Sequence, residues 1–343
     1  MAYQFISKTP ELDEYWRSII LFGRNVASYK FALAKSLLEL KPRAGELVKL
    51  IDLAPVFAKH VAEHVKQSPK QTTSSSSTFL ETCEKFNNGI ISADELSKTT
   101  AQIAFVNVID AFHVVAQSEV EKRFFIDERK ERKGICITDE FEELYTSIQG
   151  ENLMHEVESR WRLVETAWEL GISQSVLSVH HEFSDSSLFV LNNVGQRIDV
   201  TSSSGALNGY QKGACFYCFG AILIGGSDLS PDVDHFFPHK MKRLNLAVNI
   251  DGIWNLVLAC RDCNRGVGGK FDRIPRVDLV ERLMKRNEFL ISSHHPLRET
   301  LMAQMGQTEQ LRVSFLNHVL SEALFSSGFG TWAPKELKGP PRF

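Results

Sequence analysis

The spacing of apolar residues predicts helices through most of the first half of the chain. Apolar side chains recur with the 3.6-residue period of a helix over residues 16–40, which Pro42 follows. They do so again over 46–66, where we expect a kink or a restart near Pro55. Residues 67–78 are polar and of low complexity, so we predict a linker there.

Further helices are expected beyond this linker. A short one is predicted over 77–86, and a Ser-x-x-Glu capping box opens another over 92–115. The segment 120–135 alternates in charge and is interpreted as a solvated surface. An amphipathic helix is predicted over 151–170, where the apolar residues keep a helical period.

The pattern changes to that of a β-hairpin at residues 187–201. This segment is rich in β-branched and aromatic residues around a turn at 192–195. A short helix over 203–212 should follow, and the chain becomes helical again over 277–291 and 299–324. The pattern as a whole therefore predicts an α+β fold whose N-terminal region is mainly helical.

Length, charge and cysteine usage narrow the class of protein. A chain of 343 residues is long enough for about two domains, and a formal net charge of -3 argues against a generally polycationic surface. No window reaches the roughly 18 apolar residues of a membrane span, and the N-terminus lacks a secretory signal pattern. Isolated Cys83 and Cys136 fit a reducing environment, so we expect a cytoplasmic protein without a membrane anchor.

Four of the six cysteines form two Cys-x-x-Cys pairs. Cys215 and Cys218 are separated by 41 residues from Cys260 and Cys263. A redox dithiol needs only one such pair, so two pairs at this spacing favour one tetrahedral zinc ion over redox chemistry or buried thiols. Four thiolates leave no open coordination position, which predicts a structural zinc.

The segment between the two cysteine pairs carries candidate hydrolytic chemistry. Asp234 and His235 are adjacent, and an imidazole has the pKa range of a general base. Such pairs are common on surfaces and in cores, but here Asn255, Asn264 and Lys270 follow in order. Residues 240–286 contain 11 Lys+Arg against 5 Asp+Glu, a surplus of 6, which suits a phosphate-rich substrate.

These residues carry a resemblance to a known family. Asp-His-x-x-Pro from Asp234, followed by Asn-Leu-Val-Leu-Ala-Cys-x-x-Cys-Asn from Asn255, resembles the HNH endonucleases of the His-Me finger (ββα-metal) superfamily. The match is to the branch with a four-cysteine zinc knuckle, and the motif order is also similar to the HNH domain of the CRISPR guide-RNA endonucleases. It covers about 60 residues, and the first 200 residues lie outside it.

The resemblance implies roles for the matching residues. His235 would be the general base, while Asp234 and Asn264 would bind one catalytic Mg²⁺ or Mn²⁺. Many members have histidine where Asn264 stands, and an amide oxygen there suits Mg²⁺. Asn255 would hold the His235 ring and link the second strand to the first. The products would carry 5′-phosphate and 3′-hydroxyl ends.

The resemblance also implies a ββα-metal nuclease domain over 203–292. Residues 1–202 would form a recognition, partner-binding or regulatory region, and 293–343 a helical extension and tail. The expected function is DNA cleavage by nicking, in restriction or antiphage defence with partner proteins. Arg261, Arg265 and Lys270 are candidates for contacts with DNA phosphates. Alternatives are a non-catalytic zinc-knuckle module that binds nucleic acid and an RNase toxin.

Other histidines are interpreted as incidental. His60, Glu63 and His64 match the H-x-x-E-H pattern of inverted zinc proteases, but no clear third ligand follows downstream. We interpret that match as chance. The pairs at 180–181 and 294–295 are interpreted as loop or helix-start residues.

Overall fold

The computed structural model describes residues 11–22, 27–74, 76–115, 118–169, 179–182, 187–191, 196–224, 228–244, 246–292, 297–326 and 328–343. The chain forms two compact units. Lys8–Gly171 is called the helical unit, and Ile172–Phe343 together with Met1–Ser7 is called the cysteine unit. Helices and small sheets occur in the described residues, which confirms the α+β class.

The described elements of the helical unit follow one another in this order: α1 (Leu12–Phe22), α2 (Tyr29–Leu40), β1 (Leu47–Lys49), α3 (Leu50–Gln67), α4 (Thr78–Asn87), α5 (Ala93–Ile103), α6 (Val106–Ala111), β2 (Val114–Val115), β3 (Ser118–Glu119), β4 (Phe125–Glu128), α7 (Arg129–Arg132), β5 (Gly134–Ile137), α8 (Asp139–Thr146) and α9 (Gly150–Glu169). The strands β1, β5 and β4 form an antiparallel sheet in that order, and β2 pairs with β3.

Several predicted helices are divided in the structure. The helix predicted over 16–40 is two helices, α1 and α2, and that predicted over 92–115 is α5, α6 and the short strand β2. The helix predicted over 46–66 begins only after β1, whose backbone pairs with β5. The capping box at Ser92 and Glu95 is present as predicted, with both of its reciprocal hydrogen bonds.

The polar segment 67–78 is packed into the helical unit and is not a free linker. Gln71 is fully buried, and its side-chain oxygen accepts a hydrogen bond from the Trp161 indole at 2.9 Å. Its amide nitrogen donates to Glu165 and to the Ser68 carbonyl. A single buried glutamine therefore anchors a segment that composition alone assigns to solvent.

The H-x-x-E-H histidines bind carboxylates within the helical unit. His64 stacks on Trp161 with ring centroids 3.5 Å apart, and its Nδ1 lies 2.6 Å from Glu165 Oε1. His60 Nε2 lies 2.8 Å from Glu39 Oε2. Among the described residues, neither histidine belongs to a group that could hold a metal ion, which agrees with a chance match.

The described α-helices and strands of the cysteine unit are, in order, β6 (His180–Glu182), β7 (Ser187–Leu191), β8 (Arg197–Ser202), α10 (Ser203–Gln211), β9 (Asp232–His235), β10 (Leu256–Ala259), α11 (Arg261–Arg265), β11 (Ile274–Pro275), α12 (Val277–Ser292), α13 (Arg298–Met305), α14 (Glu309–Phe325) and β12 (Thr331–Trp332). The strands β6, β7 and β8 form an antiparallel sheet, β9 pairs antiparallel with β10, and β11 pairs parallel with β12.

Several predictions for elements of this unit are confirmed, but His180 and His181, interpreted as loop or helix-start residues, lie in strand β6. The hairpin at 187–201 is the pair β7 and β8, although its turn at 192–195 lies outside the described residues, as does the histidine pair at 294–295. The helix predicted over 299–324 is divided at Gly306, whose φ of +126° ends α13. Across the described part of the chain, no helix has the length and apolarity to cross a membrane.

Candidate metal centre and adjoining polar site

The two Cys-x-x-Cys pairs meet in space as predicted. The sulfur atoms of Cys215, Cys218, Cys260 and Cys263 all lie within 4.8 Å of one another. The Cys218 and Cys260 sulfurs are 3.8 Å apart. A tetrahedral zinc site with Zn–S bonds of about 2.3 Å has sulfur–sulfur edges of about 3.8 Å. The cluster therefore has the donor set and the size for a structural zinc ion.

Backbone amides already point at the sulfurs. The Cys260 N–H donates to Cys215 Sγ at 3.3 Å, and the Gly220 N–H donates to Cys218 Sγ at 3.4 Å. Hydrogen bonds from Cys215 and from this glycine amide lower the pKa of the Cys218 thiol. Hydrogen bonds of this kind orient and stabilise thiolate ligands. The knuckle turn is closed by the Cys215 N–H donating to the Gly220 carbonyl at 2.8 Å.

Helix α12 braces both halves of the cysteine cluster. Its Arg282 donates to the carbonyls of Phe216 and Tyr217 inside the first Cys-x-x-Cys pair. One turn later, Arg286 donates to the Trp254 and Leu256 carbonyls, each at 3.0 Å, where the chain enters β10. The two arginines thus tie the first knuckle and the strand leading to the second knuckle to one helix.

A strand pair and a short helix place the predicted hydrolytic residues. In the antiparallel pair, His235 of β9 lies opposite Leu256 of β10, and Asp232 lies opposite Ala259. Asn264 in the following helix α11 donates from Nδ2 to Asp232 Oδ2 at 3.0 Å. Asp232 and Asp234 share one face of β9, because side chains alternate along a strand. The helix is thereby fixed to the face that carries both carboxylates.

Asp234 lies in a buried polar cluster. Its Oδ2 accepts a hydrogen bond from the Tyr217 hydroxyl at 2.6 Å, and its Oδ1 lies 3.2 Å from Lys270 Nζ. Burial raises the pKa of the Asp234 carboxyl, and the Lys270 ammonium opposes that shift. Lys270 is fully buried. In this structure it is therefore the ionic partner of Asp234 and not the surface contact for phosphate that we predicted.

His235 is held by a carboxylate from the loop after β9. Its Nε2 lies 3.1 Å from Asp251 Oδ1, and Asp251 also pairs with Lys242 and lies 3.5 Å from His239 Nε2. His235 is 5% exposed, and this burial lowers its pKa to about 4. The imidazole is therefore neutral near pH 7, which is the form that accepts a proton.

Asn255 is fully buried and binds the backbone. Its Oδ1 accepts from the Phe237 N–H at 2.8 Å, and its Nδ2 donates to the Phe237 and Ile250 carbonyls, each at 2.9 Å. Its own carbonyl accepts from the Phe236 N–H. Asn255 thus links the second strand to the first, as expected. The side-chain hydrogen bonds of Asn255 go to the backbone, while Asp251 makes the contact to the His235 ring that we expected from Asn255.

The two arginines of α11 remain at the surface. Arg265 is exposed and donates to Asp232 Oδ1 at 2.9 Å. Arg261 is exposed at the first position of the helix. Both positions are compatible with contacts to an anionic substrate.

The chain was also compared with known proteins. No protein-family model, curated protein or solved structure matches it. Functional assignments therefore depend on the geometry described above and on the motif resemblance.

Two residues of the site were missed by sequence reasoning. Asp251 lies 16 residues after His235 in an irregular loop, and no periodic pattern connects them. Tyr217 offered a better signal, because a tyrosine between two metal-ligand cysteines must place its hydroxyl somewhere near the knuckle. The sequence carries no pattern that predicts the buried pairing of Lys270 with Asp234. That pairing depends on the loop between Cys263 and Lys270, which folds back through a hydrogen bond from the Lys270 N–H to the Cys263 carbonyl.

Proposed function

We propose that this chain is a metal-dependent HNH-type endonuclease that hydrolyses DNA phosphodiester bonds. The proposal depends on how β9, β10, α11 and the cysteine cluster are arranged. His235 lies at the end of β9, the antiparallel partner β10 leads into α11 with Asn264, and the four-cysteine cluster lies at the junction of β10 and α11. This is the order of elements and side chains that a ββα-metal nuclease requires.

In the proposed reaction, neutral His235 accepts a proton from a water molecule. The water oxygen then attacks the phosphorus atom, the bond to the 3′ oxygen breaks, and that oxygen takes a proton from solvent, so that the products carry 5′-phosphate and 3′-hydroxyl ends. Asp251, 3.1 Å from the imidazole, would stabilise the positive charge that develops on the ring. A bound Mg²⁺ or Mn²⁺ would supply positive charge to the scissile phosphate, with Asp234 and Asn264 as its protein ligands.

The environment of Asp234 sets a condition on this proposal. The Lys270 ammonium lies 3.2 Å from the Asp234 carboxylate. A metal cation bound to the same carboxylate would lie close to this ammonium, and the two positive charges would repel each other strongly in a buried site. A divalent cation therefore binds Asp234 only when the Lys270 side chain withdraws. His235, at 5% exposure, also requires an opening of the loop around it before substrate reaches the ring.

The substrate class follows from charge. Arg261 and Arg265, both exposed on α11, suit a polyanion. A single site of this kind cuts one strand, so nicking is the expected outcome, and double-strand cleavage requires two copies. Restriction or antiphage defence, with partner proteins, is the setting that the motif resemblance favours.

The experiment is incubation of the purified chain with supercoiled plasmid and, separately, with RNA, in Mg²⁺, Mn²⁺ or EDTA. We expect conversion of the plasmid to nicked circles in the presence of either metal and none in EDTA. His235→Ala should abolish nicking while its zinc content and thermal unfolding stay those of the wild type. Cleavage of RNA alone would identify the RNase alternative instead.

A second candidate function is a non-catalytic module that binds nucleic acid. It is favoured by the same buried pair of Asp234 and Lys270, which neutralises the carboxylate, and by the low exposure of His235. Binding of DNA by the wild type without cleavage in either metal, and equal binding by His235→Ala, would support this alternative and contradict the nuclease.

A further inference from the structure

The helical unit contains a cavity that the nuclease proposal does not use. It has a volume of about 500 Å³ and opens beside the first turn of α2. Its polar lining comes from Lys30, Thr72, Ser74, Ser77 and Asn107, and its apolar lining includes small side chains of α6. Small-molecule sites in proteins are typically concave cavities of about 300–1,000 Å³ with a few polar groups on a largely apolar wall.

Lys30 brings a buried positive charge to this cavity. The residue is only 4% exposed, and it lies in the first turn of α2. Within the residues that the structure describes, its ammonium makes no hydrogen bond and no ion pair. Burial lowers the pKa of Lys30 to about 8, and the next contribution is repulsion from Arg160.

Arg160 is a second buried cation without a carboxylate. It is 4% exposed, and its Nη2 donates to the Leu21 carbonyl at 2.8 Å. Its Nε and Nη1 are buried and have no hydrogen-bond partner in the described part of the chain, and the same holds for the Ser28 hydroxyl, which does not cap α2. Arg17 of the same unit, by contrast, is paired with Asp13 and Glu156.

Two neighbouring buried cations without counterions are costly to the fold, because removing a charge from water is repaid only by a partner. An anion that enters the cavity would supply a partner for Lys30, which lines it. A phosphomonoester carries about -1.5 to -2 charges at pH 7, so it attracts the Lys30 ammonium more strongly than a single carboxylate does. The N-terminus of a helix with nearby hydroxyl donors also favours a phosphate group.

From the unpartnered Lys30 at the wall of this cavity, we propose that the helical unit binds a small phosphorylated organic molecule, with its phosphate at Lys30 and the start of α2. The organic part would occupy the apolar side of the cavity. This site is independent of the nuclease proposal, because every residue that forms it belongs to the helical unit.

The test is calorimetric titration of the purified full chain with AMP, with adenosine as the neutral counterpart, and with inorganic phosphate. We expect AMP to bind, inorganic phosphate to bind more weakly at the same site and compete with AMP, and adenosine to bind at least tenfold more weakly than AMP. Absence of binding by both AMP and phosphate at millimolar concentration would overturn the proposal. Equal binding of adenosine and AMP would do so too, and this comparison needs no variant.

Variants then locate the site. Lys30→Met should lose AMP affinity at least tenfold and, in the free protein, unfold at a temperature equal to or above that of the wild type, because an unpaired buried charge is removed. Lys59→Met is the control, since Lys59 lies in the same unit with a side chain that is 59% exposed. It should bind AMP as the wild type does. Unchanged AMP binding by Lys30→Met would contradict the assignment.

Discussion

Replacing Asn255 by alanine should strongly destabilise the cysteine unit. The substitution leaves one N–H and two carbonyls of Phe237 and Ile250 buried without their partner. A buried polar group that loses its hydrogen bond costs about 1–3 kcal/mol, so the three groups together give a loss of about 3–9 kcal/mol in the free energy of unfolding.

The assay is urea unfolding of the zinc-loaded chain. Unfolding of the cysteine unit is measured by the zinc that it releases, which a chromophoric chelator captures. Hydrogen exchange of the Phe237 amide provides a local readout, because this N–H is donated directly to Asn255 Oδ1. Asn317→Ala serves as the control, since Asn317 is exposed on α14 of the same unit. It should unfold within about 0.5 kcal/mol of the wild type.

A loss smaller than about 1 kcal/mol for Asn255→Ala would refute the reasoning, since even one orphaned group costs that much. So would an unchanged exchange rate at Phe237. If Asn255 acted instead on the His235 ring, its variants would lower cleavage while the unfolding midpoint stayed constant.

Three further predictions follow from the same geometry. Lys270→Met leaves the Asp234 carboxylate buried without an ionic partner, at a cost of about 3–5 kcal/mol in the free energy of unfolding. Adding Asp234→Asn should recover most of that stability. Equal unfolding midpoints in urea for the single and the double variant would contradict the buried pair. Burial lowers the pKa of His113 to about 3, so the unfolded chain binds more protons than the native one between that value and about 6.5, and stability should fall by at most about 5 kcal/mol as the pH decreases through this window. His113→Phe should flatten that dependence in unfolding curves recorded at several pH values, and an unchanged slope would exclude His113 as its source. Purified protein should contain one zinc per chain by elemental analysis, released on alkylation of the cysteines, and a preparation that is folded without zinc would contradict the structural metal.

The parts of the fold that were predicted correctly carry strong local signals. The capping box at Ser92, the hairpin at 187–201 and the helix over 277–291 each depend on residues close together in sequence. The two Cys-x-x-Cys pairs were equally predictable, because their ligand types and spacing leave few other arrangements for four thiols.

The errors in the fold arise where distant contacts decide. The segment 67–78 has the composition of a linker, but Gln71 becomes buried because Trp161 and Glu165, some 90 residues away, complete its hydrogen bonds. Residues 47–49 fit a helical period, but β5 offers them a strand partner. Tertiary pairing overrides local propensity in both cases.

The candidate site shows the same division. Sequence order singled out Asp234, His235 and Asn264 as candidates; the first two lie on β9, and the third lies in α11, where it donates a hydrogen bond to Asp232 of that strand. The partners that control their chemistry come from loops: Asp251 at His235, and Lys270 at Asp234. Loop backbone follows no period, so these pairings could not be inferred from spacing.

The central claim is that His235 is the base of a metal-dependent nuclease, and a single rate comparison tests it most directly. Wild type and His235→Ala, both zinc-loaded, are mixed in excess with an end-labelled DNA duplex in Mg²⁺, and single-turnover cleavage is followed. Removing a general base should slow cleavage by about 10²–10⁴-fold, with 5′-phosphate ends on the wild-type product. Equal rates for the two proteins would contradict the account.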